Sequence, residues 1–475
     1  MEQLNCTLSE EQRSNLAALF ERGSFDTLKH CVKGVDEMDY FQTVAIAYSV
    51  LVEACLLNLD TGLGKTLIAA GIMNVVNMLY PRIRWIYLCQ CSNLKTTADK
   101  LKRHLYNDNI LYCDSTEKAI LNNFCTYKAA SADIIVLSYE AITEPSVEGF
   151  LFDNRQYFQG VILDESQMLS NLSSHTSKLI SAIINSARFK ILLSATPLRV
   201  SVEQVINQMY MLDRKMFEGV TLSSFLNQYR VWADKEVIGY RNLDHLESQL
   251  MDRMLSLSRT DLDARGDYTP YMHICQSGLA DDAKITDIVN CKCEKYSAPM
   301  LKLLDIVKRY KAEGKRGLIY ANRNTIKKAV KYALETEDLA VDIMDGTNTA
   351  TQKKKDKVHR KFLDKELDVL ITNITTGKDL PCDYIIFYEL TFDYKQMIGR
   401  GERGLQGVDL DVHFILTDSV YEMRFFYANV YQRGVLLEQL CGKDLPELHG
   451  ALKQLEAELK RKGVSINDLF DQQTT

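Results

Sequence analysis

The sequence lacks a long apolar run. Among its 475 residues the most apolar helical stretch, 44–52, ends at Glu53 and is too short to span a bilayer. The second residue is acidic, and no apolar segment of the kind found in signal peptides follows it. We therefore expect a cytoplasmic protein.

Cysteine density, proline and net positive charge are also low. The twelve cysteines are scattered, unlike those of a disulfide scaffold, and only seven prolines occur, so we expect reduced thiols in a cytosolic compartment. The net charge of -6 gives no global basic signature, which means that an argument for nucleic-acid binding has to be local. At 475 residues the chain is too long for one core, and two or three domains are expected.

What the sequence does contain is short apolar runs that alternate with helical segments. Continuous apolar strands separated by helices predict a parallel sheet that is covered on both faces. The alternation stops near residue 200 and resumes near residue 296, so the prediction is an α/β fold with two parallel-sheet lobes. The predicted domains are 1–200, a helical preface and first lobe; 201–295, a mainly helical insertion; 296–420, the second lobe; and 421–475, a helical extension.

A phosphate-binding loop is predicted between an apolar strand and a helix, where the chain reads DTGLGKT. Gly62 and Gly64 allow a tight turn whose N–H groups point at phosphate oxygens. Lys65 supplies a charge for the β- and γ-phosphates, and the Thr66 hydroxyl suits Mg²⁺. The strict motif has glycine at the position of Leu59. The residues predicted to hold ATP here are Thr61, Gly62, Leu63, Gly64, Lys65 and Thr66.

An acidic pair follows a second apolar strand in the segment VILDESQ. Because ligands of open parallel sheets bind at the carboxyl ends of strands, Asp164 and Glu165 are expected beside the phosphate loop. Asp164 is predicted to hold Mg²⁺ and Glu165 to polarise the attacking water. A surface acidic turn is the alternative.

Two further segments carry candidate residues. Ser194 and Thr196, in the segment SATP, are hydroxyl residues placed to couple the acidic pair to a moving neighbour, or they form a turn before a proline. Arg400 and Arg403 lie three residues apart, on one helical face. Arginine is suited to neutralising charge on a transferring phosphoryl group, although a solvated helix face is the favoured explanation of the pair taken by itself.

The ordered series of motifs resembles superfamily 2 helicases and translocases, most closely the Swi/Snf-type and restriction-motor-like ATPases, over roughly residues 40 to 405. That family tolerates other residues at the position of Leu59. The resemblance implies two tandem RecA-like lobes, ATP hydrolysis with Mg²⁺ and a nucleic-acid partner. Gln167 stands where Swi/Snf-type proteins usually carry histidine. The last motif begins with Gln396 instead of histidine, and residues 86–100 contain no PTRELA-like stretch. These last two features argue against a DEAD-box RNA helicase.

The resemblance also implies residue roles. Gln42 would read adenine, Gly377 and Asp379 would form a nucleotide-side motif, and Arg400 and Arg403 would complete the ATP site from the second lobe. By the same resemblance, Gln167 would be a catalytic residue and Gln396 a coupling residue. The implied nucleic-acid contacts are Ser92, Asn93, Tyr139, Asn322 and Thr372. Tyr139 is equally well explained as a core residue at a strand end.

Basic residues concentrate in the second lobe, where they fit a track for nucleic-acid phosphates or else a solvated face. They are Lys302, Lys308, Arg309, Lys311, Lys315, Arg316, Arg323, Lys327, Lys328, Lys331, Lys353, Lys354, Lys355, Lys357, Arg360, Lys361 and Lys365. Four possible zinc ligands, His273, Cys275, Cys291 and Cys293, have tighter spacing than a zinc knuckle, and buried thiols on a strand explain them better.

The sequence thus predicts an ATP-driven motor that moves along DNA, with DNA favoured over RNA. Two alternatives stay open: a duplex translocase that does not separate strands, and an ATP-gated binding subunit. In its compact size, with little beyond the two predicted lobes, the chain resembles motor ATPases encoded by bacteriophages.

Overall fold

Two parallel β-sheets organise the chain in the computed structural model. The first belongs to a unit formed by Met1–Leu262 and Leu436–Lys443, and the second to a unit formed by Asp263–Val435 and Asp444–Thr475. The structure describes residues 24–107, 109–113, 131–169, 171–198, 201–217, 219–233, 236–258, 268–280, 283–345, 351–373, 380–391, 394–401, 409–442, 445–461 and 465.

The first sheet has the strand order β3-β4-β2-β5-β6-β1-β9, and neighbouring strands are parallel. The strands are almost wholly apolar because helices cover both faces of the sheet. Strands β7 and β8 form a separate antiparallel hairpin. In chain order they are β1 (Ala54–Leu59), β2 (Arg84–Cys89), β3 (Ile110–Cys113), β4 (Ile134–Ser138), β5 (Phe158–Asp164), β6 (Phe189–Ser194), β7 (Arg230–Ala233), β8 (Glu236–Tyr240) and β9 (Met254–Leu257).

The helices of this unit include two that begin at the candidate site. The long helix α3 starts directly after the DTGLG turn, and a short 3₁₀ segment, Ser166–Leu169, follows β5. The α-helices are α1 (Ser24–Lys29), α2 (Tyr40–Val52), α3 (Lys65–Leu79), α4 (Leu94–His104), α5 (Pro145–Asn154), α6 (His175–Ser186), α7 (Val202–Leu212), α8 (Leu222–Asn227) and α9 (Leu243–Met251).

The second sheet has the order β10-β15-β14-β11-β13-β12, again with parallel neighbours. Its strands are β10 (Tyr268–Cys275), β11 (Gly317–Tyr320), β12 (Val341–Met344), β13 (Val369–Thr372), β14 (Tyr384–Phe387) and β15 (Leu410–Thr417). The helices are α10 (Ile285–Cys293), α11 (Ala298–Ala312), α12 (Asn324–Glu335), α13 (Gln352–Leu363), α14 (Tyr394–Gly401), α15 (Val420–Phe425), α16 (Gln432–Cys441) and α17 (Pro446–Arg461), with a π-helical turn at Phe426–Tyr431.

The segment 201–295 differs from the mainly helical insertion that the sequence predicts. Its strand β9 pairs with β1 in the first sheet, and its strand β10 pairs with β15 in the second. A four-residue run such as β9 is too short for periodicity to distinguish a strand from a helix. Pro270 obscured β10, which is an edge strand, where proline is tolerated.

Strand order explains why distant sequence segments meet in the first unit. Strands β5, β6 and β1 are neighbours, and parallel strands end at the same edge. The residues that follow β1, β6 and β5 are the phosphate loop, the SATP segment and the acidic pair. The parallel-sheet prediction is confirmed for both units. Within the described residues, no helix is long and apolar enough to cross a membrane.

Candidate functional site

The loop after β1 has the backbone geometry that its glycines predict. Gly62 and Gly64 have φ angles of 87° and 79°, in the left-handed region that glycine adopts without strain. Helix α3 begins at the next residue, Lys65, so its free N–H groups face the loop. The Lys65 ammonium donates to the Leu59 carbonyl across the loop, 3.3 Å away. The loop is thus already curled around the place where phosphates would bind.

Gln42 attaches helix α2 to this loop. Its side-chain oxygen accepts from the backbone N–H of Asp39, at 3.3 Å, and its amide nitrogen donates to the Leu63 carbonyl, at 3.4 Å. A Cβ atom at Gly64 would lie only 2.8 Å from that amide nitrogen. A side chain at position 64 would displace the Gln42 amide and would be strained at the positive φ. The proposed adenine contact of Gln42 stays a prediction.

The acidic pair lies at the end of β5 with an unusual backbone. Asp164 is 9% exposed, and Glu165 has φ 54°, which is left-handed for a residue with a Cβ. Burial, and then the charge of Glu165, raise the pKa of Asp164 to about 6 against the opposing effect of Lys65. A buried carboxylate in this position favours a bound cation.

A chain of hydrogen bonds joins the acidic pair to the SATP segment. The Gln167 amide donates to the Glu165 carboxylate, at 2.7 Å, and its oxygen accepts from the Ser194 hydroxyl, at 2.6 Å. The backbone N–H of Thr196 donates to that same hydroxyl, at 3.0 Å. The structure therefore brings together four residues that the sequence places in two separate motifs. Their roles in catalysis and coupling stay predictions.

Sequence reasoning missed a second link between the same two segments. Gln208 of α7 is fully buried, and it accepts from the Ser166 hydroxyl, at 2.6 Å, while donating to the Pro197 carbonyl, at 2.7 Å. A polar residue on the otherwise apolar face of α7 was the available signal.

The oxygen donors of this edge fit Mg²⁺ bound to a nucleotide. The Thr66 hydroxyl is in the first turn of α3, and the Asp164 carboxylate is across β6 from the loop. Hydroxyl and carboxylate oxygens, completed by phosphates and water, are the ligands that Mg²⁺ prefers. These two residues would hold the metal.

The zinc candidates lie elsewhere, in the second unit. His273 and Cys275 are on β10, whereas Cys291 and Cys293 are on helix α10 and not on a strand. Among the described residues, no group of three or more His, Cys, Asp or Glu side chains is arranged to hold a metal ion.

Several predicted residues of the second unit fall where little can be described. Gln396 and Arg400 lie on α14, in agreement with the helical setting predicted for Arg400. Arg403, Gly377 and Asp379 lie outside the described residues. Their roles therefore stay predictions.

The five predicted nucleic-acid contacts divide by exposure. Ser92 and Asn322 are exposed and Asn93 is half-buried. Tyr139 is only 5% exposed, and its hydroxyl donates to the Asp164 carbonyl at 2.7 Å, which favours the alternative that it is a core residue. Thr372 is fully buried and donates to the Met344 carbonyl at 2.9 Å. Both side chains are buried, so direct contact of Tyr139 or Thr372 with a nucleic-acid strand is not supported.

The basic stripe of the second unit also divides. Lys327 is buried in an ion pair with Asp345, so it is not part of a surface track. Other lysines have carboxylate partners: Lys302 with Asp305, Lys308 with Glu337, Lys311 with Asp368, Lys315 with Glu313, and Lys331 with Glu335 and Asp342. On helix α13 four exposed cations have no ion-pair partner within the described part of the chain: Lys353, Lys354, Lys357 and Arg360.

The order and geometry of these motifs agree with a comparison against protein families. The family described as SNF2-related domain matches residues 6–266, which is more than half of the chain. The chain belongs to the SNF2-related family. A second family, the helicase conserved C-terminal domain, matches residues 299–404 of this SNF2-related protein. The resemblance to Swi/Snf-type ATPases that the sequence carries is thereby confirmed.

Comparison with solved structures returns the Sulfolobus solfataricus SWI2/SNF2 ATPase core in complex with dsDNA. It is 14% identical to the SNF2-related chain, covers 90% of this chain and 97% of its own, and has a TM-score of 0.42. No curated protein matches the sequence.

Proposed function

We propose that this SNF2-related protein is a motor that hydrolyses ATP and uses the energy to move along DNA. One observation carries the proposal: adjacent strands β1, β6 and β5 end in the phosphate loop, the SATP segment and the acidic pair. Hydrogen bonds join the acidic pair to the SATP segment, as a coupled nucleotide site requires.

Each residue of this edge has a role in the proposal. Lys65 and the backbone N–H groups before it hold the phosphates, and Thr66 and Asp164 hold Mg²⁺, which would neutralise charge on the phosphate oxygens. Glu165 accepts a proton from the water that attacks the γ-phosphate. Gln167 keeps the Glu165 carboxylate in place. Arg400 and Arg403 would supply positive charge as the phosphoryl group transfers.

The polymer contact is proposed at helix α13. Its four exposed cations lie on one helix, whereas seven other basic side chains of the stripe are in ion pairs with carboxylates. Contacts to phosphates position a strand without reading its sequence, which suits a motor.

The test compares ATP hydrolysis with single-stranded DNA, duplex DNA and RNA in parallel. We expect stimulation by DNA, and we expect Lys65→Ala to abolish it because the phosphate loop loses the cation that would bind the β- and γ-phosphates. Lys178→Ala, which removes an exposed lysine from α6, is the matched control and should behave as the unchanged protein. Full stimulated activity in a clean Lys65→Ala protein would refute the proposed function.

A further inference from the structure

Gln208 is a fully buried amide on helix α7, whose buried face is otherwise apolar. Its neighbours on the buried face of α7 include Val205, Ile206 and Met209. Besides its bonds to Ser166 and Pro197, its amide nitrogen donates to the Gln204 carbonyl at 3.1 Å. A buried amide is costly unless its hydrogen bonds are made, and here both ends are used.

The partner of Gln208 is the residue directly after the strained Glu165. A left-handed backbone at a residue with a Cβ persists only where its surroundings hold it in several places. Here four anchors surround Glu165: Tyr139 donates to the preceding carbonyl, Gln167 donates to its carboxylate, the Met168 N–H donates to its carbonyl at 3.1 Å, and Gln208 accepts from the Ser166 hydroxyl. Of these, only the Gln208 anchor fixes the chain on the far side of the strained residue by reaching another helix.

Gln208 also reaches the SATP segment through a bond that bypasses the chain formed by Gln167 and Ser194. Its amide nitrogen donates to Pro197, three residues after Ser194. The segments that follow β5 and β6 are therefore linked twice, once through Gln167 and once through Gln208. A shift of either segment has to break or carry along the buried amide.

We propose that Gln208 is a positioning residue for ATP hydrolysis. By locking Ser166 to Pro197 it holds Glu165 in its left-handed conformation, with the carboxylate aimed for proton acceptance, and it transmits movement between the two segments. It acts through Ser166 and touches neither nucleotide nor metal. This inference rests on the proposed function.

The first test is Gln208→Met, which keeps the side-chain length and removes the three side-chain hydrogen bonds of Gln208. Because a misplaced catalytic group lowers kcat without weakening ground-state binding, kcat should fall about 10-fold or more while KM for ATP stays within about 2-fold. Ser166→Ala, which removes only a hydroxyl, should lower kcat in the same way. The double variant should lose no more kcat than the more impaired single variant, since both changes break the hydrogen bond between Ser166 and Gln208.

The matched control is Asn74→Leu in the same unit. Asn74 is also a buried amide on a helix, and it donates to two backbone carbonyls, those of Cys31 and His104, at 2.8 and 3.1 Å. It should lose thermal stability and keep the kcat of the unchanged protein. A control that lost as much kcat as Gln208→Met would overturn the positioning role, because the effect would then follow from general destabilisation.

Unchanged kcat in either Ser166→Ala or Gln208→Met would overturn the inference, as would strictly additive losses in the double variant. If Gln208→Met does not fold, Ser166→Ala decides alone. The unchanged protein separates the two levels. If it shows no DNA-stimulated hydrolysis, the proposed function fails, whereas normal stimulation in both the unchanged protein and Gln208→Met removes only the inference.

Discussion

Removing the exposed cations of helix α13 should weaken binding to duplex DNA at every sequence tested. The perturbation is a fourfold variant in which each of the four exposed cations becomes glutamine: Lys353, Lys354, Lys357 and Arg360. Glutamine keeps the helix propensity of the segment while removing four charges. The helix should therefore stay folded, and the change should act on binding.

The magnitude follows from counterion release. Each phosphate contact contributes a slope of about -0.9 in log K against log salt, so four contacts contribute about -3.6. Between about 50 and 200 mM salt, these contacts alone would account for a loss of affinity of about 150-fold in the unchanged protein. The variant should lose this part of the salt dependence.

The assay is fluorescence anisotropy of a labelled duplex over a salt series, with two unrelated sequences. The control replaces four ion-paired lysines of the same unit by glutamine, and it changes the net charge equally: Lys302, Lys308, Lys311 and Lys315. The reasoning is refuted if the α13 variant keeps the original slope, or if the control flattens it as much.

Three other predictions test separate parts of the structure. Glu165→Gln should bind ATP as the unchanged protein does and hydrolyse it at least about 100-fold more slowly, because general-base catalysis contributes about 10²–10⁴; labelled-nucleotide binding beside turnover checks this. Lys327→Met should cost about 3–5 kcal/mol in urea unfolding because it breaks a buried ion pair by removing one partner, and Asp345→Leu added to it should restore much of the loss. Burial, and then the neighbouring imidazole, lowers the pKa of His413 to about 3, against about 6.5 when unfolded, so stability is complete above pH 6.5 and falls as pH drops. The loss of free energy of unfolding due to His413 should be about 2 kcal/mol between pH 8 and pH 5, and this loss should be absent in His413→Phe.

The sequence predicts that the phosphate loop and the acidic pair lie at one edge of the first sheet because the signals of both motifs are local. A glycine-rich turn before a helix and an acidic pair after an apolar strand each carry their own signal, and parallel strands bring their ends to one edge. What the motifs do not encode is strand adjacency. That β6 lies between β1 and β5, and so brings Ser194 to Gln167, follows from topology.

The sequence did not predict features that depend on tertiary contacts. Burial decides that Tyr139 and Thr372 are core residues and that Lys327 is no surface charge, and burial is not visible in a residue type. Gln208 escaped notice for the same reason, since its partners lie 42 and 11 residues away. Short strand β9 and proline-containing β10 were missed because their local patterns are ambiguous.

Movement along DNA is the central claim, and a triplex-displacement assay tests it most directly. A third strand bound to a duplex downstream of the loading region reports translocation without requiring strand separation. The account predicts ATP-dependent displacement by the unchanged protein and none by Glu165→Gln, although that variant binds ATP and DNA. Failure of the unchanged protein to displace the third strand while hydrolysing ATP in a DNA-stimulated manner would contradict it.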